Sequence, residues 1–209
     1  MASEAVPDGN VELIRRHAGR SIWRREQPAL FAAGLCTAPV RLRFGAGARF
    51  TGVKLWPWAW QALGGPAAGG FVDEWIAVPE DSPLARLIPQ DDGAVVEALV
   101  HAFAGARVPA LGAALLGGAG VGEAARHAGM SPRGLQRHFA CHYGIPPRAY
   151  LRLLRLREAL IGMQASAAPL ADTAAAQGYA DQAHMARDFR RIAGVPPREA
   201  RARARGPFL

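Results

Sequence analysis

The 209 residues carry 25 Lys and Arg against 17 Asp and Glu, a net charge of +8 at pH 7, with half of the residues hydrophobic and a fifth charged. This balance describes one or two folded domains and excludes wholesale disorder, and two cysteines, Cys36 and Cys141, exclude a disulfide scaffold or a four-cysteine zinc knot. The opening MASEAVPDGN lacks the regions of a secretory signal, and the uncharged run 108–122 is Gly-rich and too short to span a bilayer, so a cytoplasmic protein without a membrane segment is expected.

Charge and composition change together near Arg107. Residues 1–107 carry 11 cations and 11 acids, whereas 108–209 carry 14 arginines and 6 acids, so the whole net charge lies in the second half. A basic half points to a polyanion, because each arginine near a phosphate releases condensed counterions. All five tryptophans lie in the first half. There the alternating segments 40–44 (VRLRF) and 49–55 (RFTGVKL) predict strands between Gly-rich turns. The stretch KLWPWAW (54–60) follows, with Pro57 starting a short helix. Its Trp56, Trp58 and Trp60 have two readings, a buried core plug or a wall of a ligand pocket. Residues 91–107 read as a connecting helix capped by Asp91 or Asp92, with His101 on its apolar face as a packing or interface residue. The remainder has helical periodicity. The expected fold is α+β: a small mixed, strand-containing domain over 1–90, the connecting helix over 91–107, and an all-α domain over 108–209.

The helical half contains a repeat. VGEAARHAG (121–129) matches LADTAAAQG (170–178), and RHFACHYGIPPRA (137–149) matches RDFRRIAGVPPRE (187–199). Each copy has the local chemistry of two short helices crossing through a tight turn. In the first, Ala125 is small at the crossing, Gly129 suits a positive φ, and Leu135 plugs the contact. Ser131 is an N-cap with Pro132 at the first helical position. Leu135 and Phe139 then face inward, leaving Arg133, Gln136 and Arg137 outward. The second copy repeats this with Ala174, Gly178, Met185 and Phe189 inward, and Gln182, His184, Arg187 and Arg190 outward. Between the copies, 147–163 reads as one helix about 25 Å long. A spacer of that length suits two recognition helices about one turn of DNA apart, roughly 34 Å. Ser131, Arg126, Arg148, Arg190 and Arg198 are expected to meet phosphates, which position a protein without specifying sequence. The terminal RARARGPFL (201–209) reads as a frayed basic tail.

These segments resemble the DNA-binding domain of the AraC family of bacterial transcription regulators. The resemblance covers about residues 108–201. It is carried by SPRGLQRHF, by Arg155, Leu156 and Ala159 of the linker, by the stretch from Gly178 to Phe189, and by the closing GVPP. It departs at Ala183 and Met185, where the family more often has Ser and an aromatic residue. The resemblance implies base contacts from Arg133, Gln136 and Arg137 in the first unit and from Gln182, His184 and Arg187 in the second. PDGNVELI (7–14) and KLWPWAW resemble N-terminal domains of one AraC subgroup. The implied partners are double-stranded promoter DNA, RNA polymerase for an activator, a small-molecule effector and a second copy of the chain.

No HExxH, GxSxG or P-loop occurs, and LGGAGVG (116–122) lacks dinucleotide spacing, so neither an enzyme nor a cofactor or metal is expected. Cys141 lies beside the first recognition helix and has two readings, a reactive thiol or, with no resolving partner in the sequence, an inert one. Two functions remain: a sequence-specific DNA-binding regulator whose first half senses an effector or dimerises, and a ligand-binding or interaction module whose paired units no longer read DNA.

Overall fold

The computed structural model describes residues 2–165 and 168–203. Its first half is a sandwich of two four-stranded sheets, ordered β1-β6-β3-β4 and β7-β2-β5-β8, with antiparallel pairings throughout. The strands are β1 (Ala2–Ala5), β2 (Val11–Ala18), β3 (Ser21–Trp23), β4 (Arg25–Glu26), β5 (Leu30–Ala33), β6 (Val40–Phe44), β7 (Arg49–Leu55) and β8 (Trp75–Ala77). The two strands predicted from alternation, β6 and β7, have the expected bounds, and six more surround them.

Strand β2 shows why the others were hard to see. Successive side chains on a strand point to opposite faces. In β2, Val11, Leu13 and Arg15 are buried on the outer face, while Glu12 and Ile14 look towards the other sheet. The outer face is covered by the short helix α1 (Pro57–Ala62), by 3-10 turns at Ala68–Phe71 and Pro83–Leu87, and by α2 (Val95–Ala102). Arg15 is only 2% exposed there. Its Nε donates to the Ile88 carbonyl at 2.5 Å, and its two terminal nitrogens donate to the Glu80 carboxylate at 2.9 Å each. The fork thus ties the 80–88 segment to the sheet.

The connecting helix is shorter than the 91–107 expected. Asp91 accepts from the Gly93 amide over a 3-10 turn at Asp92–Ala94, and α2 proper ends at Ala102. Gly105 at φ +72 then turns the chain. The Asp92 carboxylate receives the Thr51 hydroxyl at 2.6 Å and lies 2.6 Å from His17 Nε2, fixing the start of α2 to β2 and β7. His101 is exposed rather than packed, because the buried face of this short helix begins at Val95.

The second half is helical: α3 (Ala110–Leu116), α4 (Val121–His127), α5 (Pro132–His142), α6 (Pro147–Ala165), α7 (Leu170–Ala176), α8 (Gln182–Ile192) and α9 (Pro197–Arg203). The linker helix α6 runs two residues past its expected end. Residues 201–203 of the presumed tail belong to α9, and 204–209 lie outside the described residues. The helical core is continuous with the sandwich, since Leu35 and Trp58 belong to the same buried cluster as Leu111, Phe139 and Tyr150.

Replacing Arg15 with Ala strips the Ile88 carbonyl and Glu80 of their partner. We expect a loss of about 2–3 kcal/mol, seen as a lower urea midpoint with an unchanged m-value.

Candidate nucleic-acid interface

The two copies of the repeat share their helix lengths, the second having one more residue in the turn between its helices. Both first helices, α4 and α7, have 7 residues, and both second helices, α5 and α8, have 11. The turn glycines match, Gly129 at φ +63 with Gly178 at +67, and Gly144 at +70 with Gly194 at +71. Such φ values favour glycine because a Cβ would collide with the backbone. The crossing residues are fully packed: Ala125 and Ala174 at 1% exposure, Leu135, Phe139, Met185 and Phe189 at zero.

Each second helix is capped from outside. Ser131 Oγ accepts from the Gly134 amide at 3.1 Å. Asp181 Oδ1 accepts from the His184 amide at 2.5 Å, a cap the sequence reading missed although an Asp one residue before a helix is its ordinary signal. Inward packing leaves Arg133, Gln136 and Arg137 exposed on α5, and Gln182, Arg187 and Arg190 exposed on α8. His184 is half-buried: its ring edge meets Tyr179 with centroids 5.3 Å apart, and its Nδ1 accepts from the Ala180 amide at 3.4 Å. That leaves Nε2 for another partner. Arg126, Arg148 and Arg198 are also exposed, and Gln136 and Arg148 line one cleft between α5 and the start of α6. Among the described residues, none of these arginines forms an ion pair.

Residues 124–203 match the model of a helix-turn-helix domain family. No curated protein sequence matches the chain. Among solved structures, the fold of almost the whole chain is similar to ToxT from Vibrio cholerae, at a TM-score of 0.55 and 8% identity over 99% of both chains. A transcriptional regulator with an AraC-type DNA-binding domain from Chromobacterium violaceum is 24% identical over 48% of this chain and 93% of its own, at a TM-score of 0.45. An AraC family regulator from Rhodopseudomonas palustris CGA009 is 25% identical over 47% of this chain and 97% of its own, at a TM-score of 0.41.

The first unit of the helix-turn-helix domain is clamped to the sandwich. The Tyr150 hydroxyl on α6 is buried and donates to the Gly9 carbonyl at 3.1 Å. Gln61 of α1 is 2.9 Å from His142 Nδ1 on α5, and Arg157 lies over the Trp56 ring at 5.1 Å. Gly69 and Gly144 meet backbone to backbone: a Cβ built on Gly144 would sit 2.6 Å from Gly69 Cα. Burial, with His142 alongside, lowers the His138 imidazole below its usual range.

A cavity of about 550 Å³ lies between the two sheets, lined from both, with Cys36 in its wall. The tryptophans considered as a pocket wall do not line it. Trp60 is fully buried under the second sheet, and its indole donates to the Pro66 carbonyl at 2.7 Å. Trp58 packs against Gly112 of α3, and Trp56 stacks on Trp58 at 5.4 Å. These rings are core because α1 lies on the outer face of the sheet, away from the space between the sheets. The lining residues that sequence reading missed, among them Glu12, Trp23, Phe31 and Phe50, lie on the inward faces of β2, β3, β5 and β7.

Burial pushes the Cys36 thiol up to about 12, so almost no thiolate exists at pH 8. Cys141 is exposed. A thiol-reactive dye at pH 8 should therefore titrate one cysteine in the native protein and both in denaturant; two fast thiols in the native state would contradict the burial of Cys36. Tyr150→Phe should cost about 1–2 kcal/mol by orphaning the buried Gly9 carbonyl, measured by urea unfolding.

Proposed function

We propose that this protein is a transcription regulator that lays α5 and α8 in successive major-groove segments of promoter DNA. The observation that carries the reading is the duplication itself: two units with helices of equal length, each capped, each exposing arginine and glutamine on the helix face opposite the core. Arginine's planar fork suits guanine O6 and N7, and glutamine suits adenine N6 and N7. Arg133, Gln136 and Arg137, with Gln182, His184 and Arg187, are the proposed base readers. Arg126, Arg148, Arg190 and Arg198 are the proposed phosphate contacts, joined by the Ser131 hydroxyl, whose oxygen already caps α5. The helix α6, 19 residues or about 28 Å, spaces the two units.

The sandwich is the proposed effector domain, with the inter-sheet cavity as its site, within the volume range of small-molecule pockets. Val96 and Val100 are exposed on α2, and a homodimer would draw on that apolar strip. The cytoplasm is the proposed compartment; among the described residues no helix is long and apolar enough to cross a membrane. An activator would also touch RNA polymerase.

Selection of bound fragments from random genomic DNA should return a motif of two blocks about one helical turn apart. Arg137→Ala and Arg187→Ala should each weaken binding to that motif by about 1–3 kcal/mol and relax specificity within one block. Arg198→Ala should instead weaken binding to all sequences alike and reduce the salt slope by about one. Salt-dependent binding with no recoverable motif, unchanged in the first two variants, would favour a module that has lost specific recognition.

A further inference from the structure

At the polar end of the inter-sheet cavity a carboxylate and an ammonium line the wall without an ion pair between them. Glu12 on β2 and Lys54 on β7 stand directly opposite each other in the ladder, a register that ordinarily gives a cross-strand ion pair. Lys54 instead places its ammonium 2.6 Å from the Asp8 carboxylate. Among the described residues, the Glu12 carboxylate accepts no hydrogen bond and forms no ion pair. Lys54 is the one cation in the lining. Glu12 is thus the lining carboxylate whose cross-strand cation is held by Asp8, outside the lining, beside a space walled by Trp23, Phe31, Phe44 and Phe50.

We propose that the cavity takes a small organic cation, an alkyl- or arylammonium whose nitrogen pairs with Glu12 and whose apolar part lies against these aromatic rings. The inference rests on the cavity being the effector site. A buried carboxylate without a partner is costly, and an ammonium group supplies the missing counter-charge. Aromatic faces attract cations as well, more strongly when water is excluded. The Phe44 and Phe50 rings are 5.2 Å apart and tilted by 56°, so they offer differently directed faces. An anionic ligand would meet the Glu12 carboxylate, while the Lys54 ammonium is held at Asp8. A neutral one would leave Glu12 as it is. In keeping with this, burial raises the Glu12 carboxyl above its usual range, Lys54 lowering it in part.

The test is calorimetric titration of the full chain with four probes of similar size: phenethylamine, benzyltrimethylammonium, 2-phenylethanol and 3-phenylpropanoate. Both cations should bind about tenfold or more tightly than 2-phenylethanol. Glu12→Gln should erase that preference while leaving 2-phenylethanol binding unchanged. Asp8→Asn, which removes the carboxylate that holds the Lys54 ammonium, should weaken the cations by a similar factor and serves if Glu12→Gln does not fold. Equal or tighter binding of 2-phenylethanol or 3-phenylpropanoate would overturn the cation inference and leave the cavity an effector site. Cation affinity unchanged in the folded variants would overturn it too. Binding by none of the four would remove both readings.

Discussion

The buried contact between the sandwich and the first helix-turn-helix unit governs the rest of the molecule. Tyr150 reaches out of the linker helix to a backbone carbonyl in the β1–β2 loop, and its ring packs with those of Phe139 and Tyr143. The same aromatic group forms the inside of the first unit, so α5 is positioned by a core to which both halves of the chain contribute. A tyrosine suits this place because its ring fills the core while its hydroxyl satisfies a carbonyl that water cannot reach. The Gly9 carbonyl sits one residue from Asp8, the partner of Lys54 at the cavity. Cavity, loop and linker helix therefore lie within a few bonds of one another.

The helical half was legible because its physics is local. Period, caps and turn glycines are short-range features, and here they occur twice, so each copy checks the other. Ala125, Gly129 and Leu135 have their counterparts at the same structural places, down to φ values a few degrees apart. The inward and outward residues of α5 follow directly, because 3.6-residue periodicity assigns faces without knowledge of the neighbours. His184 is the instructive intermediate: the pattern puts it outward, and only the structure shows Tyr179 and the Ala180 amide engaging it.

The sandwich was largely illegible for the complementary reason. Its second sheet is buried on the outer face by helices and on the inner face by its partner sheet, so strands such as β5 lack a polar side to alternate with. Where polar residues do occur, they mislead. Arg15 reads as a surface residue and is buried because Glu80, 65 positions away, closes on it. Glu12, on the opposite face of the same strand, lines the cavity between the sheets. Pairings of such sequence separation have no local signature. The tryptophans were conspicuous but uninformative about function, because Trp58 and Trp60 fill space beneath the sheet and between the halves.

The linker α6 is a single run of helix, packed on the first unit at one end and joined to the second at the other. In an α-helix each residue adds about 1.5 Å of advance and about 100° of rotation. Distance and angular phase between α5 and α8 are thus set together by one integer, the number of residues in α6. Such a coupling admits no small adjustment. Removing a single residue would turn the second unit by more than a quarter of a circle relative to the first, so natural variants of this architecture should change α6 by whole turns or leave its length alone.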